Sequence, residues 1–128
     1  MKTAKIEIKT KNNRYPIIIG NNLLKNFSNI IKKNSFNFDK CLIVIDKKVP
    51  KMFLKEIKLS LLKKKKFIYF FNSNEINKDM KNLNEILKIL LKNNFNRNDC
   101  LISMGGGITG DISGFAASIY KRGIKFIN

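Results

Sequence analysis

"CLISMGGGITGDISGFAASIY", residues 100–120, sets a short apolar run against five of the chain's seven glycines and then continues in small residues. The apolar run is too short for a buried helix and reads as a strand covered on both faces, the form strands take in parallel sheets. Gly105, Gly107 and Gly110 complete G-x-G-x-x-G between that strand and a helix that opens the "ISGFAASIY" segment. In this context glycines let the backbone approach a phosphate closely, and free N–H groups at a helix start favour an anion. The same spacing also serves a merely tight strand-to-helix turn. Two features depart from the standard dinucleotide fingerprint: the motif follows a third apolar strand, and the acidic residue expected about 20 positions on would fall beyond Asn128.

Upstream, the grammar repeats. "CLIVI" from Cys41 ends at Asp46, "VPKMFLKEIKLSLLKK" reads as a helix, and "FIYFF" is a second buried strand ending near Asn72. In "DMKNLNEILKILLKN" Leu83, Ile86, Leu87, Leu90 and Leu91 follow helical spacing. Downstream, "IKFIN" opens a fourth strand. Strand and helix thus alternate, which predicts a Rossmann-like, doubly wound, mainly parallel α/β sheet. Before it, the alternating "AKIEIKT" and the run "YPIIIG" predict an N-terminal antiparallel hairpin. "NNLLKNFSNIIKK" predicts a helix capped by Asn21 or Asn22. The pattern breaks off within a strand, so the expectation is a domain truncated at residue 128.

The chain of 128 residues carries 26 basic and 9 acidic side chains and no histidine. A net charge of +17 raises the question of nucleic acid, a membrane surface or an anionic small molecule. Lysines are scattered, with "LLKKKKF" the one tight run, and they do not interleave with aromatic residues as on a stacking platform. The charge reads as solvated lysines under a Lys, Asn and Ile composition bias, with neither nucleic acid nor membrane as partner. Cys41 and Cys100 lie inside apolar runs without CxxC spacing, as buried reduced thiols do. "MKTAKIEIKT" has no apolar leader region, and the expected location is the cytoplasm.

In a doubly wound sheet, ligands lie beyond the carboxyl ends of the strands. Asp46 at one such end is a candidate for ribose hydroxyls, or a cap for the following helix. Glu75 and Lys78 lie in "NSNEINKD", aimed at the same crevice, or form a solvated i, i+3 pair. Arg122 in "KRG" is a surface charge or a guanidinium offered to phosphate or carboxylate.

The segment "GGGITGDISGFAASIYKRGIKFIN" closely resembles the signature of the 3-dehydroquinate synthases, members of the sugar phosphate cyclases. "RYPIIIGNNLL", "LIVIDKKV" and "NSNEINKDMKNLNEILKILL" line up as well, so the resemblance spans nearly the whole chain. It implies that residues 1–128 are part of an N-terminal NAD-binding domain and that a C-terminal helical, metal-binding domain is absent from this chain. It implies NAD-binding roles for Asp46 at a ribose, for Glu75 and Lys78 at the adenosine side, and for Gly106, Gly107, Ile108 and Asp111 along the pyrophosphate and nicotinamide ribose. Arg122 matches an arginine that reaches across a homodimer interface to the substrate's phosphate. The family's zinc or other divalent metal is held by a glutamate and two histidines, which a histidine-free chain cannot supply, so no catalytic or metal residue is expected here.

The family's Asp-Gly before the loop glutamate is Ser73-Asn74 here, and Lys48 replaces an Asn that assists the ribose; both imply altered contacts. The implied reaction converts 3-deoxy-arabino-heptulosonate 7-phosphate, a sugar acid phosphate, to 3-dehydroquinate and phosphate in the shikimate pathway. The rivals are another sugar phosphate cyclase, a glycerol-dehydrogenase-like NAD enzyme, or a stand-alone basic nucleotide- or nucleic-acid-binding module.

Overall fold

In the computed structural model, which describes residues 2–128, the chain opens with β1 (Ala4–Lys9) and β2 (Arg14–Ile19). They form an antiparallel pair in which Ala4, Ile6 and Ile8 face Ile19, Ile17 and Tyr15. Because side chains alternate along a strand, all six lie on one face of the ribbon. That apolar face is mostly exposed.

A 3-10 turn at Leu24–Asn26 leads into α1 (Phe27–Lys33), and neither is capped by a side chain. The predicted Asn21 or Asn22 cap is therefore corrected: the 3-10 turn intervenes, and Asn22 takes a left-handed φ of 57°. There follow β3 (Lys40–Asp46), α2 (Lys51–Ser60), β4 (Lys65–Phe71), α3 (Met80–Lys92), β5 (Cys100–Met104), α4 (Gly107–Ile119) and β6 (Lys125–Ile127).

The four later strands form one sheet in the order β4-β3-β5-β6, and every pair is parallel. The predicted doubly wound α/β architecture holds, and β6 pairs with β5 as its "IKFIN" run requires. Strand alternation decides what each face covers. Cys41, Ile43 and Ile45 of β3 join Ile31, Ile57 and Leu61 of the α1–α2 side in one core. Leu42 and Val44 join Leu83, Ile86, Leu90, Ile112 and Ala116 of the α3–α4 side in the other.

The chain runs from β3 outward to β4, then crosses back to place β5 on the other side of β3. This reversal opens a crevice beyond the carboxyl ends of β3 and β5, where nothing crosses between the diverging connections. Asp46 and the glycine turn stand there. At the opposite end of the sheet, Lys40 is half-enclosed, donating to the Asn93 carbonyl at 2.8 Å and lying 3.6 Å from the buried Asp99 carboxylate. This pair braces the base of the sheet, remote from the crevice.

Candidate functional site

The crevice is built from backbone. α4 begins at Gly107 with Gly106 as its N-cap, a residue that has no side chain to satisfy the first N–H groups. The first intrahelical bond runs from the Gly110 N–H to the Gly106 carbonyl at 3.0 Å. The N–H groups of Gly107, Ile108 and Thr109 are therefore left to a partner outside the helix. By contrast, α3 is closed by Asp79, whose carboxylate accepts from the Asn82 N–H at 2.9 Å. That bond holds the Asp79 carboxyl below its ordinary range.

The three glycines divide into two kinds. A Cβ at Gly105 would lie 2.8 Å from Thr109 Oγ1 and 3.0 Å from the Asp46 Cβ, so only glycine lets the turn pass against the tip of β3. Beyond its chain neighbours and the helix's own backbone, a Cβ at Gly106 or Gly107 would meet no described atom within 4 Å. Gly105 is thus required by the fold, whereas Gly106 and Gly107 keep open the space in front of the helix start.

Asp46 is half-buried. Its Oδ1 accepts from the Lys48 N–H at 3.0 Å, an Asx turn that fixes the carboxylate at the strand tip. The alternative of a helix cap is excluded, because Pro50 is the N-cap of α2 and no side chain caps that helix. Lys48 reaches the turn through its backbone, so the substitution of a lysine at this position leaves the Asp46 geometry in place.

Between β4 and α3, residues 72–79 form a loop braced by Asn77, whose N–H and side-chain amide bond to Asn74 Oδ1 at 2.8 Å and to the Asn72 carbonyl at 2.9 Å. Lys78 leaves this loop to reach Asp111 Oδ2 at 2.9 Å, across the mouth of the glycine turn. The bond to Asp111, followed by its charge, raises the Lys78 pKa. The expected i, i+3 ion pair of Glu75 with Lys78 does not form: Lys78 turns to Asp111, and its N–H donates to the Glu75 carbonyl at 3.3 Å. Glu75 stays exposed.

The structure therefore brings together Asp46, Gly106, Gly107, Ile108, Lys78 and Asp111. It does not bring Arg122 to them. That residue follows the far end of α4, in a turn where Lys121 and Arg122 both have left-handed φ, and it is exposed. A helix of 13 residues spans roughly 20 Å.

One residue was missed from the sequence. Thr109 lies in the first turn of α4, fully buried, and its hydroxyl has no hydrogen-bond partner among the described residues. Nothing in its sequence setting separates it from a solvent-facing helix threonine, and Gly105 passes close against it.

A groove of about 560 Å³ runs from Asp46 along α2 and β4. Its apolar floor includes Leu54, Leu62 and Phe70, and lysines rim it. It reaches neither the glycine turn nor the loop of Glu75 and Lys78. No group of three or more His, Cys, Asp or Glu side chains among the described residues could hold a metal ion. Among the described residues, no helix is long and apolar enough to cross a membrane.

Residues 68–128 match the family model for the N-terminal region of 3-dehydroquinate synthase. The whole chain is 55% identical to a 3-dehydroquinate synthase of Pelagibacter ubique and covers 35% of it. Over 96% of the chain, identity to the Streptococcus thermophilus 3-dehydroquinate synthase is 34%, again covering 35% of that protein. The chain thus spans about a third of the length of these relatives. Among solved structures, 2-deoxy-scyllo-inosose synthase superposes with a TM-score of 0.85 at 22% identity, over 96% of this chain and 35% of that one. A 2-epi-5-epi-valiolone synthase from Streptomyces hygroscopicus, solved with NAD+ and Zn2+ bound, superposes with a TM-score of 0.73 at 24% identity, over 93% and 33%. These two likenesses show the fold.

Proposed function

We propose that this chain, which belongs to the 3-dehydroquinate synthase family, is the NAD-binding N-terminal part of such an enzyme. The single observation that carries the proposal is the uncapped glycine start of α4 set beside a fixed Asp46 carboxylate at the switch point of the sheet. Anion-seeking N–H groups and a hydroxyl-accepting carboxylate in one crevice are the two chemistries that a dinucleotide's pyrophosphate and ribose require.

The residues present fit NAD. The pyrophosphate would lie against Gly106, Gly107 and Ile108, where no Cβ of either glycine intrudes, and Asp46 would accept from ribose hydroxyls. Lys78 supplies positive charge, and Asp111 a second carboxylate, at the mouth. When bound, NAD would supply reversible oxidation of a substrate hydroxyl. The chain's own part is to bind and orient: helix N–H groups would hold the anion and Asp46 would fix the sugar.

The residues do not fit the metal. The chain has no histidine, and the described residues hold no ligand cluster, so a zinc or other divalent ion would need ligands from outside these 128 residues. The complete activity is the elimination of phosphate from 3-deoxy-arabino-heptulosonate 7-phosphate and closure to 3-dehydroquinate. It is a lyase reaction of the shikimate pathway, serving chorismate and aromatic amino acid biosynthesis. That activity would need further residues as well.

Two observations support a homodimer as the working form. The apolar face of the hairpin is exposed, and Arg122, set apart from its own crevice, would be available to a neighbouring one. Two buried free cysteines suit the reducing cytoplasm. The 2-deoxy-scyllo-inosose synthase likeness favours a second reading, another sugar phosphate cyclase, which the 55% identity to a 3-dehydroquinate synthase outweighs.

The test is a calorimetric titration of NAD into this chain, followed by a phosphate-release assay on the sugar acid phosphate with NAD and zinc. Saturable NAD binding with no phosphate release is expected. A folded chain that ignores NAD overturns the cofactor role, and phosphate release from pure protein overturns the assignment of the chemistry to residues elsewhere.

A further inference from the structure

The geometry points to Asp111 as a specificity residue: a carboxylate that occupies Lys78 in place of a phosphate and yields it to ligands that also bring a sugar hydroxyl. This inference rests on the dinucleotide reading above. Lys78 and Asp111 come from elements 33 residues apart and meet at 2.9 Å over the glycine turn. Their side chains are 40% and 62% exposed, so the pair is held weakly and can exchange.

The competition follows from what surrounds the pair. The uncapped first turn of α4 attracts an anion, and the buried, unpartnered Thr109 hydroxyl in the same turn has no protein group among the described residues to satisfy it. Asp111 stands just after that turn, on the same helix. A simple anion such as pyrophosphate must approach this carboxylate and take away its lysine, leaving Asp111 exposed to like charge. A dinucleotide loses the same ion pair but offers ribose hydroxyls that donate to the carboxylate in exchange. Asp111 thereby penalises bare phosphates more than it penalises NAD.

The test uses calorimetric titrations of inorganic pyrophosphate and of NAD into the parent chain, Asp111→Asn, and Asp111→Asn combined with Lys78→Met. Asp111 is exposed and its partner is a surface lysine, so matching thermal midpoints should confirm folded variants. Asp111→Asn is expected to bind pyrophosphate about threefold tighter or more, the order of one surface charge interaction. NAD should bind it no tighter, and the double variant should lose the pyrophosphate gain. The inference is overturned if Asp111→Asn leaves pyrophosphate binding unchanged, if the gain survives without Lys78, or if none of the three proteins binds pyrophosphate. A parent that binds no NAD, while Asp111→Asn still gains pyrophosphate, would instead sink the dinucleotide reading and with it the selectivity, leaving only the measured competition at Lys78.

Discussion

Gly107→Ala separates a glycine kept for the fold from one kept for a ligand. Beyond its chain neighbours and its own helix backbone, a Cβ at this position meets no described atom within 4 Å, and the residue is the first of α4. Alanine restricts the unfolded chain more than glycine and is the better helix former, so the folded state should gain about 0.5–1 kcal/mol. With an unfolding entropy of about 2.1 cal/mol/K per residue, the 128-residue chain should melt roughly 2–4 °C higher. The same methyl would stand where the pyrophosphate must approach the helix start. NAD affinity should fall at least tenfold, about 1.4 kcal/mol. Differential scanning calorimetry and NAD titration on one preparation measure both. Gly105→Ala is the control of opposite sign, since its Cβ would clash with Thr109 and Asp46 and should lower the midpoint. A Gly107→Ala protein that is more stable and binds NAD unchanged would refute a ligand at the glycine turn. One that is less stable would refute the reading of open space.

Two further predictions concern the frame that holds the site. The Tyr120 hydroxyl, buried where α4 ends, donates its one proton to the Phe95 carbonyl at 2.8 Å, with the Leu90 carbonyl 3.2 Å away as a second acceptor. Tyr120→Phe should cost about 1–2 kcal/mol, read from urea midpoints, with NAD affinity unchanged. Burial pushes the Cys41 thiol up to about 12 from 9.0, against the lowering charges of Lys66 and Lys64, and burial also raises Cys100. The unfolded thiols lose protons that the native ones keep, so this stabilisation is complete below about pH 9 and is lost as pH rises toward the folded value. Unfolding free energies from urea titrations between about pH 8 and about pH 10.5 should therefore fall, by up to about 1.4 kcal/mol per pH unit for each thiol. Cys41→Ala should make the fall shallower; an unchanged slope would contradict the assignment.

The sheet was legible because its strands are buried on both faces and so appear as unbroken apolar runs, "CLIVI", "FIYFF" and "CLISM", each followed by a helical stretch. The hairpin was legible from the alternation of its first strand. The ends of helices were less so: Asn21 and Asn22 have capping side chains, yet the 3-10 turn displaced the start of α1. Asp46 could be placed at a strand tip but its role could not, since a turn-forming and a capping aspartate look alike until Pro50 is seen to take the cap. Lys78 and Asp111 were each singled out, but their union was hidden by sequence distance, and the local Glu75 looked the better partner. Thr109 was invisible because its burial comes from the folded surroundings, Gly105 among them, and not from its place in the helical pattern.

The most direct measurement is a backbone-amide NMR titration of the chain with NAD. Saturable shifts concentrated at Gly105–Asp111, at Asp46 and at Lys78 are what a dinucleotide in this crevice predicts. Absence of saturable shifts in a folded protein, or shifts confined to the lysine-rimmed groove along α2, would contradict it.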